Sequence, residues 1–326
     1  MTTQTKQKLW EGYPESDFLK VRRSGIGASD IAGICQVGFS TPLKLFCEKT
    51  GRTEVEDNAA MRRGRRYEPL ILEEFREEFG VGTLIVPGLG NKIIWRHPVY
   101  DWAFCHPDGI LEDDLSNPIA LVQAKFTGMY KGWGTMALGE VPEYIQLQVQ
   151  WEMFCSGLSL DYVAVLMGNR DFKIYHCHAL PEVQKAIFEK AQHFYQEHIL
   201  KDIMPEPTGD IRDTEALKQL LAISVEKEAP MTAKVVNLIN ELKPATEVLK
   251  IAQVDYDRIC NNIKVEMGDS EILNTDRCKV SFKTQERRTF DHKKFIADKE
   301  IPADVVEQYN KVSTSRPFKT TWRDNE

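Results

Sequence analysis

The apolar residues of this chain change rhythm several times, and each change predicts an element. From Ala59 to Phe79 a stripe of Tyr67, Leu70, Ile71, Phe75 and Phe79 recurs at three- and four-residue spacing, with Arg and Glu on the other face. That is an amphipathic helix, and Gly80 is placed to end it. Short apolar runs bounded by turn residues follow: GTLIVPG, NKIIWRH, YDWAFCHPDGIL and PIALVQAKF, the last two joined through Asn117-Pro118. They predict strands. A helix over 141–157, a hairpin of 162–168 with 172–178, and a helix over 181–201 come next. Upstream, residues 17–35 read as a charged helical start, a Gly-rich turn and a second helix capped at Ser29-Asp30, and Thr41-Pro42 opens another that runs to about Thr50.

Pro205 and Pro207 mark a boundary. Residues 1–210 are expected to form the main α/β domain, and 211–326 a smaller α+β appendage. Within the appendage, 213–267 is mostly helical and broken by Pro230 and Pro244, 279–290 (KVSFKTQERRTF) alternates like a hairpin, 291–312 is helical, and SRPFKTTW suits a final strand.

Composition narrows the class. With 326 residues, 42% hydrophobic and 28% charged, the chain resembles an ordinary soluble globular protein able to bury a sizeable core. No apolar run approaches the roughly 20 residues of a membrane span, and the first residues lack the apolar centre of a signal peptide, so a cytoplasmic location is expected. The seven Cys are odd in number and contain no C-x-x-C pair, which argues for buried free thiols over disulfides, a zinc ribbon or an iron–sulfur cluster. The net charge of −7 disfavours non-specific binding to a polyanion. Contact with nucleic acid must then come from local clusters such as Arg62, Arg63, Arg65 and Arg66, or the weaker Lys20, Arg22, Arg23.

The candidate chemistry lies on two neighbouring strands. His106-Pro107-Asp108-Gly109 is followed, fifteen residues after the Asp, by Gln123-Ala124-Lys125. An Asp ending one strand and an acid-x-Lys on the next can present Mg²⁺ ligands and a lysine to a phosphodiester, the metal polarising the phosphate and activating a water. Here the second acid is Gln123, the uncharged near-isostere of Glu. Pro-Asp-Gly alone is an ordinary turn signal. Two companions tip the balance toward a site. Lys125 ends a run that should be buried and needs an anion or a polar cleft, and Glu68 follows directly on the arginine cluster. Gln148 lies in the later helix, with Gln146 and Gln150 competing for the same role. The four arginines suit phosphate contacts better than pairing with the glutamates that follow them. His176 and His178, with no third partner nearby in sequence, read as ordinary strand residues.

In this order and spacing, GIGASD, RRGRRYEP, HPDG, QAK and YIQLQVQWEM over about residues 20–200 resemble the YqaJ-type phage recombination exonucleases, relatives of lambda exonuclease in the PD-(D/E)xK nuclease superfamily. The resemblance implies a restriction-endonuclease-like core, a central mixed sheet flanked by helices. It implies a Mg²⁺-dependent enzyme, with Mn²⁺ as the alternative, that resects linear duplex DNA from 5′ ends in a bacterial host. It also implies a single-strand annealing partner and a homo-oligomer, the trimeric ring being the default. Residue by residue it makes Asp108, Gln123 and Glu68 the metal positions, Lys125 the lysine beside the attacking water, and Gln148 the glutamine next to the site. Arg22 and Ser29 become the grip on a 5′-phosphate, with His106 at a phosphate-binding serine's place, and Arg62, Arg63, Arg65 and Arg66 contacts to the DNA backbone. For Gln123 three explanations stand: a substrate-trapping substitution, recruitment of another carboxylate, or a pseudo-nuclease. The intact remaining motifs favour the first. The competing classes are a DNA-end-binding protein without catalysis and a Cas4-type single-strand nuclease lacking its iron–sulfur cluster.

Overall fold

A computed structural model describes residues 11–55, 57–80, 82–87, 91–168, 170–311 and 315–322. The chain divides into two compact units, residues 1–222 and 223–326.

The first unit opens with β1 (Glu11–Pro14), α1 (Glu15–Arg23), α2 (Ala28–Ile34), α3 (Pro42–Lys49) and α4 (Ala59–Phe79). Strands β2 (Thr83–Ile85), β3 (Asn91–Arg96), β4 (Phe104–Cys105), β5 (Gly109–Glu112) and β6 (Pro118–Thr127) follow. Then come α5 (Glu143–Ser156), β7 (Leu160–Met167), β8 (Asp171–His178), α6 (Pro181–Phe194) and α7 (Ile211–Leu220). Five strands make a mixed sheet in the order β2-β5-β6-β7-β8. All neighbours are antiparallel except β6 and β7, which run parallel through the α5 crossover. A separate antiparallel sheet has the order β1-β3-β4.

Helices cover both faces of the larger sheet. The α4 stripe of Ile71, Leu72 and Phe75 packs with Val122, Ala120 and Ala164, and Tyr67 stacks on Phe126 at 4.3 Å. On the other face α5 buries Ile145, Val149 and Met153 against Val163, Val165 and Tyr175. This α/β arrangement is the fold class expected from the sequence, a central mixed sheet flanked by helices.

Local chemistry fixes the entrance segments. The Gly25-Ile26-Gly27 turn lies against β4: Ile26 N–H donates to Trp102 O at 2.7 Å and Phe104 N–H to Ile26 O at 3.1 Å. A β-carbon on Gly25 would stand 2.1 Å from Trp102 O, so only glycine fits this approach. The expected cap shifts by two residues, because Gly27 is the N-cap of α2 and Asp30 accepts its N–H at 2.7 Å. The divide between units falls after 222 rather than after 210. Helix α7 is tied to α3's start by Thr41 Oγ1 donating to the buried Asp213, and Arg212 reaches the carbonyls of Gly38 and Ser40. Four of the seven cysteines are buried free thiols, Cys47, Cys105, Cys155 and Cys177.

The second unit departs more from expectation. Helix α8 (Ala233–Met267) runs unbroken through Pro244, which removes one backbone donor while the turns on either side keep theirs. Strand β9 (Ile272–Asn274) pairs with β10 (Lys279–Ser281), so KVS finds its partner upstream and the expected hairpin within 279–290 does not form. Two short helices, α9 (His292–Asp298) and α10 (Ala303–Gln308), replace a continuous one, and residues 315–322 form no strand. Residues 312–314 lie outside the described residues.

Candidate active site

The β5–β6 hairpin presents the site. Gly109 pairs with Val122, so Asp108, one residue ahead of β5, comes level with Gln123. The Ala124 N–H donates to Asp108 Oδ2 at 2.9 Å, and no other hydrogen bond reaches this carboxylate among the described residues. Side chains two apart on a strand share a face, which puts Gln123 and Lys125 together toward α5. Helix α5 is pinned in turn to the strand before HPDG: Trp151 Nε1 donates to Phe104 O at 3.1 Å.

One turn of α5 completes a closed network. Lys125 Nζ donates to Gln123 Oε1 at 3.3 Å and to Gln148 Oε1 at 3.1 Å. Gln148 Nε2 donates to Gln123 Oε1 at 3.0 Å and to Glu152 Oε1 at 2.9 Å. Gln123 Nε2 donates to Glu152 Oε2 at 2.6 Å. Gln148 and Glu152 are four apart and therefore lie on one helix face. Gln150 is turned away from them, its amide joining His178 O and Leu180 N, both at 2.7 Å.

Beneath this network lies a carboxyl pair that the sequence pattern did not reveal. Glu152 and Asp161 are both buried, and neither Asp161 oxygen meets an N–H or O–H donor. The Glu152 charge acts on Asp161 electrostatically, raising the proton affinity of a carboxyl already cut off from water. Burial is the main cause that raises both, Glu152 to about 7 and Asp161 well above the usual range. A signal for Glu152 was available: it sits directly among the large apolar residues Trp151, Met153 and Phe154. A buried acid there must be paired.

Glu68, on α4, makes a 3.0 Å ion pair with Lys92, a second residue that its sequence neighbours do not single out. Burial first, and then the Glu68 charge, push Asp108 up to about 6. One oxygen of Asp108 is outside any hydrogen bond among the described residues, and the Glu68 charge acts on this carboxyl. Mg²⁺ commonly takes one or two carboxylates and fills the rest of its shell with water and phosphate. No three His, Cys, Asp or Glu side chains gather as a metal site among the described residues. The Gln123 oxygen is already engaged by Lys125 and Gln148.

The expected phosphate contacts divide between two adjoining clefts. One of about 700 Å³ is lined by Arg22, Lys49, Arg65, Lys92 and His106. The other, of about 640 Å³, is lined by Ser29, Lys44, Tyr144 and Gln148. Arg22 and Ser29 thus open on neighbouring clefts and share none. Burial and then Arg22 pull His106 down to about 3, so it presents a neutral imidazole. In the arginine turn, Arg65 bonds Asp57 at 2.8 Å and Arg62 approaches it at 3.5 Å, while Arg63 and Arg66 are not buried and make no ion pair among the described residues.

Fold and site together define a mixed α/β protein with an acid-and-lysine centre at the end of a hairpin. Residues 17–159 match the family described as the YqaJ-like viral recombinase domain, the family its motifs resemble. Among solved structures the chain is similar to an alkaline exonuclease (LHK-Exo) from Laribacter hongkongensis, at 21% identity over 57% of this chain and 93% of that one, with a TM-score of 0.46. It is also similar to a phage-related exonuclease from Haemophilus somnus 129PT, at 11% identity over 57% of this chain and 100% of that one, with a TM-score of 0.41. No curated protein matches. No helix among the described residues is long and apolar enough to cross a membrane.

Proposed function

We propose that this protein is a Mg²⁺-dependent DNA exonuclease of phage-type recombination, resecting linear duplex from 5′ ends and leaving 3′ single strands for an annealing partner. The observation that carries the reading is the meeting of Asp108, Lys125 and Gln148 at one hairpin end, with Glu68 close enough to act on Asp108. The match to the recombinase domain supports it over a structural role.

Asp108 and Glu68 would hold the cation, which when bound supplies Lewis-acid polarisation of the phosphate and a more acidic water. Lys125 carries three N–H donors, and two of them are spent on Gln123 and Gln148. The third is left for a water or a phosphate oxygen, and the two glutamines fix its direction. Orientation of this kind, set before substrate arrives, is how a positioned group lowers a barrier without reorganising. Arg22 and Lys92 line the wall of the larger cleft, where the phosphates of a DNA end would lie, and neutral His106 offers a ring nitrogen in place of a charge. A ring of several copies would let an acidic chain face DNA with its basic patches.

The test is nucleotide release from 5′-phosphorylated linear duplex. Release should require Mg²⁺, stop with a chelator, and fall by at least about 100-fold in Asp108→Asn, a loss beyond that of outer-shell changes. Duplex-end binding with no release under any divalent cation would instead make this an end-binding protein.

A further inference from the structure

The acid missing from the second strand is present elsewhere, one helix turn beyond Gln148. The geometry points to Glu152 as a positioning residue matched to Gln123, the strand's amide and the helix's carboxylate having exchanged the places that a strand acid and a helix amide would hold. This rests on the nuclease reading of the same site.

The hydrogen bonds define the match. Gln123 Nε2 donates to Glu152 Oε2 at 2.6 Å, which turns Gln123 Oε1 toward Lys125 and Gln148. An amide has one donor end and one acceptor end, and here each end meets its complement. Gln148 Nε2 spans both residues, donating to Gln123 Oε1 and Glu152 Oε1. The acid that balances the Lys125 charge therefore stands behind the glutamine rather than on it. A glutamate at 123 would set carboxylate against carboxylate across that short contact, in a place where both residues are 1% exposed. Glu152 would lose the N–H it accepts from Gln123, and the buried group would have to carry two adjacent charges or bind one more proton, each unfavourable. Gln123 is thus fitted to its surroundings. It is not a vacated ligand position whose restoration would help.

Four forms of the full-length chain decide the matter: native, Gln123→Glu, Glu152→Gln, and the two substitutions together. Each is followed by thermal unfolding, by calorimetric Mg²⁺ titration and by duplex resection. Gln123→Glu alone should unfold at a lower temperature and resect roughly tenfold more slowly or worse, with weaker Mg²⁺ binding, the scale of outer-shell defects at metal sites. Glu152→Gln alone should cost less, since an amide oxygen can still accept from Gln123. The reversed pair should recover both stability and Mg²⁺ binding, because donor and acceptor again face one another. Two residues that act independently would instead give defects that add, and a purely structural match, which would also sink the positioning role, would restore the unfolding temperature without restoring Mg²⁺ binding. Higher activity in Gln123→Glu with undiminished stability would overturn the proposal, as would additive losses in the double form. If no form releases nucleotides, the nuclease reading fails, while the unfolding cycle still reports whether the two residues are matched.

Discussion

Two charged regions flank the candidate centre, and their physics is opposite. Behind the Gly25-Ile26-Gly27 turn, Asp30 and Lys49 form an ion pair with side chains 1% and 3% exposed. Lys49 also donates to the carbonyls of Arg22 at 2.6 Å and Gly25 at 2.8 Å. On the rim, Arg65 and Asp57 pair with side chains 50% and 44% exposed. The buried pair has given up hydration and holds three backbone groups in return, so it fixes where Arg22 stands over the cleft. The rim pair has given up little, is screened by salt, and leaves its arginines able to change partners. Rigidity around this site comes from charges hidden from water, while the charges left in water can exchange partners.

The largest effect should come from breaking the buried pair. Asp30→Asn leaves an ammonium inside the protein with only two carbonyls and weakens the cap on Gly27 N–H. Removing one partner of a buried pair typically costs about 3–5 kcal/mol. Calorimetry should show unfolding at a much lower temperature, and resection should fail because the fold fails. A fall of less than about 2 °C would mean that Lys49 is well satisfied by carbonyls alone and that the contrast between the two regions is false.

Arg63→Ala with Arg66→Ala sharpens the other side. These side chains make no ion pair among the described residues, so stability should stay within about 0.5 kcal/mol. Duplex binding should weaken, and the slope of log affinity against log salt should become shallower by about two, one for each phosphate that an arginine no longer neutralises. An unchanged slope would take the arginine turn out of the DNA path and leave Arg22 and Lys92 to hold the phosphates.

How much of this is legible in the sequence follows the same division. Patterns within one element can be read: the α4 stripe, the HPDG turn, and the shared face of 123 and 125 all depend on periods of 3.6 or 2. Pairings between distant elements cannot. Glu152 meets Gln123 across 29 positions and Lys49 comes back to Gly25 across 24, and nothing in local spacing encodes either. The arginine cluster holds almost no acid within its own run, yet Asp57, just before the helix, takes two of the four. In the second unit local rules mislead twice. Pro244 does not break α8, because a single missing donor is small against 35 helical residues, and KVS pairs with the nearer upstream strand.

The smallest expected effect belongs to Asp57→Asn, and it tests how little the rim pair contributes to the fold. The hydrogen bond from Arg65, and then the charges of Arg65 and Arg62, hold the Asp57 carboxyl below its ordinary range. Since its proton affinity is lower folded than unfolded, whatever stability it adds is present above the ordinary carboxylate pKa and disappears as pH falls through the folded value. The unfolding temperatures of native and Asp57→Asn proteins should therefore differ slightly at neutral pH and converge in acid. At neutral pH the substitution should also free Arg65, while Arg62 keeps its 2.8 Å hydrogen bond to the Asp57 backbone carbonyl, so duplex affinity at low salt should rise slightly even as stability falls. A drop in DNA affinity would instead show that Asp57 holds these arginines in the orientation that binds. The rim would then be as pre-set as the buried pair, and exposure would no longer separate the two regions.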